Sequence, residues 1–191
     1  MNIDPYLVGI LYGDGWTYER EAGSYVTAID QAEKNKRIII EEVIPRLRRM
    51  GFRVKPYVFF AKHDGIFKWR AQVYSKELFI ELKRIFKHIT AYFRKLSHSK
   101  AKLFIAGFTD AEGTVANEAI IIYNQNIALL QVIQRRLRQF GIAPTYVYHY
   151  DNSEGLAVMR RECVKRLLKE IPALKFEMYH NKPIIKKALE S

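Results

Sequence analysis

Cysteine is almost missing from this chain of 191 residues: Cys163 stands alone, which excludes an intrachain disulfide and any cysteine-based metal cluster. Long apolar runs are missing as well. The longest, Tyr6 to Gly13 and Ala119 to Tyr123, fall far short of the ~20 residues a membrane-spanning helix needs, and no membrane partner is expected. The opening Met1-Asn2-Ile3-Asp4-Pro5 has no basic segment of the secretory kind. A cytoplasmic location is therefore expected, beside the nucleoid, or an organellar one if the host is eukaryotic. His63, His88, His98, His149 and His180 show no ligand spacing, and Gly13-Asp14-Gly15 lacks the Lys-Ser/Thr of a phosphate-cradling loop. Acid is the scarce charge. Twenty acidic residues against 32 basic ones leave a net charge of +12, which suits a polyanion such as nucleic acid. With 49% hydrophobic and 13% aromatic residues the chain is not a disordered one.

What is present is one short stretch, twice. Leu7-Val8-Gly9-Ile10-Leu11-Tyr12-Gly13-Asp14-Gly15 is answered by Ile105-Ala106-Gly107-Phe108-Thr109-Asp110-Ala111-Glu112-Gly113. Each copy is an apolar helical run with small residues four apart, Gly9 and Gly13 or Gly107 and Ala111, on one face where two backbones can approach. Each ends in an acid followed by the glycine that stops a helix. A carboxylate at that end meets the negative pole of the helix and is destabilised by roughly 0.3–1 kcal/mol. A bound cation reverses that sign. Two such helices side by side would bring Asp14 and Glu112 together, where they could hold a divalent metal.

The repeat extends beyond the motif. Arg46 to Phe52 answers Arg136 to Ile142, and Lys83 to Ile89 answers Lys165 to Ile171, with a spacing that shrinks along the chain as the second copy shortens its loops. Residues 1–96 form the first unit, 97–102 a polar linker, and 103–191 the second unit. Each unit reads as helix, two strands, helix, two strands, helix: an α+β fold with a four-stranded antiparallel sheet per unit, helices on one face and the other face open. In unit one, Trp16 to Asp30 reads as two strands turning at Glu21-Ala22-Gly23. A helix follows over Glu33 to Met50, with Ile40 on its apolar side and Pro45 kinking it or starting a new segment. Lys76 to Leu96 reads as one closing helix. In unit two, strands over Pro144 to Tyr150 and Leu156 to Arg160 are joined through Asp151 to Gly155. Along Phe67 to Ser75, Lys68, Arg70 and Gln72 alternate with Trp69, Ala71 and Val73, so one face packs on helices and the other offers donors to base edges, or is an ordinary wet face. Tyr146, Tyr148 and Tyr150 share a face, by core packing or base stacking. A strand of ~9 residues spans about 30 Å, or ~9 base pairs.

The paired motifs resemble the LAGLIDADG family of homing endonucleases, in the single-chain form with two copies, of the archaeal intron-encoded type. Leu7, Gly9, Asp14 and Gly15 agree in the first copy, and Ala106, Gly107, Ala111 and Gly113 in the second. The resemblance implies two pseudo-symmetric αββαββα units forming a DNA-binding saddle around a central two-helix interface. It implies a monomeric, site-specific double-strand DNA endonuclease with a long, loosely palindromic target. Two or more Mg²⁺ ions would be held by Asp14 and Glu112 with the carbonyls of Gly13 and Ala111, and Ca²⁺ would be a non-cleaving substitute. Gln31 and Asn124 would organise the attacking water; in the bland alternative they only cap helices. Some relatives carry a lysine just after the second acid, where Val115 stands, so Lys34, Lys76, Lys100 or Lys102 is expected to act near the scissile phosphate. An RNA splicing maturase, with intron RNA as partner, and a non-cleaving DNA-binding regulator are the alternatives.

Overall fold

The computed structural model describes residues 1–19, 23–143, 145–150 and 153–190, with backbone only for 145–150 and 153. Glu21 and Ala22 of the expected first turn, Asp151 and Asn152, and the side chains of Tyr146, Tyr148 and Tyr150 lie outside the described residues. Unit one runs α1 (Pro5–Asp14), β1 (Gly15–Glu19), β2 (Tyr25–Ala32), α2 (Ile44–Arg49), β3 (Tyr57–Ala61), β4 (Ile66–Tyr74), α3 (Lys76–Lys87) and α4 (Ile89–Arg94). Unit two runs α5 (His98–Glu112), β5 (Gly113–Val115), β6 (Ile120–Asn124), α6 (Ile127–Gln139), β7 (Thr145–Tyr150), β8 (Ser153–Val158), α7 (Arg161–Glu170), α8 (Leu174–Met178) and α9 (Pro183–Leu189). The strand orders are β1-β2-β4-β3 and β5-β6-β8-β7, every pair antiparallel. The same order twice is the internal repeat in three dimensions. Among the described residues no helix is long and apolar enough to cross a membrane.

The two motif helices form the centre. Asp4 caps α1 by accepting from the Tyr6 amide at 2.8 Å, with Pro5 in the first turn, and Ser97 caps α5. The helices touch along their glycine faces. A Cβ on Gly9 would collide with the Phe104 carbonyl and lie 2.9 Å from the Phe108 amide nitrogen; one on Gly107 would collide with the Tyr6 carbonyl. Backbone therefore rests on backbone at both positions, which only glycine allows. Around this axis Tyr6, Phe93, Phe104 and Phe108 are fully buried, with Phe93 and Phe104 rings 4.9 Å apart.

In the first sheet Ile29, Ala71 and Val73 are buried. Register sets Asp30 opposite Arg70 and Ala32 opposite Lys68, on the face that carries exposed Tyr18, Tyr57 and Tyr74. The alternation read along β4 is thus the real division between packed and open faces.

Four local expectations are corrected. The helix over Glu33 to Met50 is a 3₁₀ turn, then a π-helical stretch Ile38–Val43, then α2 beginning beside Pro45. The wide turn joins residues five apart, so Ile38 and Ile39 stack over Val43 and Ile44, and Ile40 swings out to 41% exposed. Lys76 to Leu96 breaks at His88 into α3 and α4. The polar linker 97–102 is mostly the first turn of α5, because Ser97 accepts from the Lys100 amide and starts the helix at once. Finally β8 begins at Ser153, and a short helix, α8, stands in the tail where none was expected.

Candidate active site at the ends of the motif helices

Because α1 and α5 meet at their glycines, their C-terminal ends arrive together. A Cβ on Gly13 would sit 2.5 Å from the Ala111 Cβ and 2.9 Å from the Glu112 Cγ, which places the second acid against the residue that precedes the first. Each acid is held by a strand-end amide. Gln31 Nε2 donates to Asp14 Oδ2 at 2.6 Å, and Asn124 Nδ2 donates to Glu112 Oε1 at 3.0 Å. Both amides continue into a relay. Asn35 donates to Gln31 at 3.2 Å and is itself met by the Tyr179 hydroxyl, while Asn124 accepts the Asn126 amide at 2.9 Å. The helix cap at α6 is Asn126, through the Leu129 amide at 3.0 Å, so Gln31 and Asn124 orient acids instead of capping helices.

Electrostatics follow from crowding. Asp14 reaches solvent, yet the protein close around it removes enough water to raise its pKa, against the lowering effect of Gln31, Lys175 and Lys68. Half-buried Glu112 is raised by desolvation first and by the neighbouring Asp14 charge second. Two carboxylates that resist ionising side by side are a site short of positive charge. Among the described residues no cluster of three His, Cys, Asp or Glu side chains could hold a metal. Two carboxylates plus helix-end carbonyls is instead the sparse oxygen set of Mg²⁺, which completes its shell with water and phosphate.

A cation already stands beside the acids, and it is a residue the sequence reading missed. Lys175 in α8 is 6% exposed and points Nζ at the carbonyls of Ala111 and Gly113, 2.8 Å from each. Its backbone amide donates to Asp110 Oδ1 at 2.8 Å, the Leu174 amide donates to Oδ2 at 2.9 Å, and the Tyr6 hydroxyl donates to Oδ2 at 2.7 Å. Burial pushes Asp110 up to about 6 despite these donors, and burial lowers Lys175 against the pull of Asp14, Asp110 and Glu112. The available signals were a charged residue inside an apolar helix, Asp110, and a lysine set among Ala173, Leu174 and Phe176.

The lysines expected near the chemistry divide. Lys34 lines a cavity of about 380 Å³ with Lys175, Lys182 and Glu112. Lys68 lies close enough to lower Asp14, and also pairs with Asp64. Lys100 and Lys102 stand about 18 and 15 Å back along α5 from Glu112, and Lys102 is paired with Glu170. Lys76 packs over Tyr25, about 20 Å along β2 from Gln31. Those three are not at the acids, because helix and strand direction carry them away. Val115 is 7% exposed and paired with Ile120. On the open sheet face Arg70 is clasped by Asp30, with Nη2 2.6 Å from Oδ2, donates through Nη1 to the Tyr57 hydroxyl at 3.0 Å, and lies over the rings of Trp16 and Phe59. Gln72 accepts from the Tyr57 hydroxyl at 3.0 Å.

Residues 99–172 match the model of the LAGLIDADG-like domain, a span that runs from the start of α5 to the end of α7. That span of the chain is LAGLIDADG-like, and the first copy of the motif, on α1, lies outside it. The chain is 27% identical over 163 residues to homing endonuclease I-DmoI of Desulfurococcus mucosus, covering 82% of this chain and 79% of that protein. The fold superposes on I-DmoI in complex with DNA and Mn with a TM-score of 0.68 at 20% identity, over 89% of this chain and 96% of that one. It also superposes on homing endonuclease I-WcaI bound to its DNA recognition sequence, with a TM-score of 0.65 at 13% identity, over 94% and 84%. The two-motif LAGLIDADG architecture expected from the paired glycine helices is the one observed.

Proposed function

We propose that this chain is a monomeric, site-specific double-strand DNA endonuclease of the LAGLIDADG family that hydrolyses phosphodiesters with Mg²⁺. The observation that carries the reading is the meeting of Asp14 and Glu112 at the ends of the two motif helices, each held by its own amide. A divalent ion bound there supplies an activated water and neutralises the leaving oxygen. Asp14 and Glu112 would hold it, one acid serving each strand, and Gln31 and Asn124, which fix the carboxylates, would orient the attacking water. Lys68, Arg70 and Gln72 face the duplex. The two units, 1–96 and 103–191 joined through 97–102, read unlike half-sites. The solved complexes of I-DmoI with DNA and Mn, and of I-WcaI with its recognition sequence, support duplex DNA over intron RNA. Such an enzyme acts beside the nucleoid.

The test is incubation of supercoiled DNA carrying the intron-insertion junction with Mg²⁺. Linear product is expected from the wild type. Asp14→Asn and Glu112→Gln should bind but give no double-strand break, and Gln31→Ala or Asn124→Ala should slow cleavage ~10–100-fold. Unchanged cleavage by either acid variant would remove the assigned roles. Binding without any linear product would instead support a regulator, and preference for structured RNA a maturase.

A further inference from the structure

The two halves of the centre are not chemically alike. Position 13 is equivalent to 111 as 14 is to 112, both 98 apart. On the α1 side the residue before the acid, Gly13, borders an open cavity of about 700 Å³ together with Tyr12 and Glu112. On the α5 side the carbonyls that straddle Glu112, those of Ala111 and Gly113, both accept the Lys175 ammonium at 2.8 Å. We infer that Lys175 is a built-in cation taking the place of one metal ion, so that the site holds a single divalent ion, in the open cavity that Gly13 and Glu112 border. The inference rests on the nuclease reading and replaces with one the two or more ions that the family resemblance implies.

Three features carry it. An ion coordinated by the Ala111 carbonyl at its usual ~2.1–2.5 Å would stand at most about 5 Å from Lys175 Nζ, like charge against like charge. The ammonium is not free to swing away: its helix is pinned by two backbone donors to Asp110, which the Tyr6 hydroxyl braces from the opposite motif helix. And the charged groups facing it, Asp14, Asp110 and Glu112 with Lys34 beyond, are three acids to one base, a setting a fixed ammonium partly balances.

The test counts bound Mn²⁺ on the DNA-free full chain, from the loss of the free-ion electron paramagnetic resonance signal. One ion per chain is expected for the wild type and for Lys175→Arg, and two for Lys175→Met, whose apolar side chain frees the Ala111 carbonyl. Two ions on the wild type, or one on Lys175→Met, overturns the inference and leaves the nuclease reading standing. No ion on any of the three removes the metal reading and the inference with it. Should Lys175→Met fail to fold, the wild-type count decides alone, one ion supporting and two refuting.

Discussion

Glu112 is half-buried, beside another acid, and at the negative end of a helix, and its single amide donor does not offset those costs. A carboxylate whose folded pKa is raised holds its proton more tightly folded than unfolded. It therefore favours the fold at low pH, and that contribution is lost as pH climbs through the folded value. Relative to Glu112→Gln, the wild type in EDTA should lose stability as pH rises above the ordinary carboxylate range and through the raised folded value of Glu112. Comparing the two thermal midpoints cancels the exposed acids, several of which shift the other way. Ca²⁺ at about 100 times its Kd should then add ~2.7 kcal/mol at pH 7 to the wild type and much less to Glu112→Gln; equal gains would locate the ion elsewhere. Asp14, Glu112, Gln31 and Asn124 were legible in sequence because a motif and the end of a strand mark them. Lys175 was not, since one lysine in a five-residue helix has no period to betray its burial.

At the scale of elements, the contact of α1 with α5 sets everything downstream. Gly107→Ala would drive a methyl into the Tyr6 backbone, with the Tyr6 carbonyl carbon 2.9 Å away. The expected cost is about 2–3 kcal/mol in denaturant unfolding, with cleavage lost because the acids part. A variant as stable as the wild type would mean the helices do not touch there. On β4, Arg70→Ala should relax discrimination at one base pair by ~1–3 kcal/mol, read from a panel of single-base target variants. A uniform loss across the panel would make it a phosphate contact. The facing of Arg70 could be read from strand alternation alone. Its partners could not, because Asp30 and Tyr57 come from other strands and meet it only through register. The π-helical stretch was hidden for a related reason: Pro45 announced a break, but a widened turn and a kink look the same in sequence.

For the whole molecule, the duplication and the +12 charge were legible at once, and the observed sheets repeat in the same order. If 6–10 lysines and arginines neutralise phosphates, affinity should fall ~10³–10⁵-fold between 50 and 200 mM salt, on matched and unmatched DNA alike. A flat salt response would take the duplex off the basic surface. What remained illegible was how the tail returns. Asp110, in the middle of the second motif helix, is where α8 comes to rest. A copy of the reading frame stopped short of Leu174 would still encode both sheets and both acids, but not the ammonium between them. The charge balance of the centre therefore depends on a segment that reaches it through the Leu174 and Lys175 amides on Asp110.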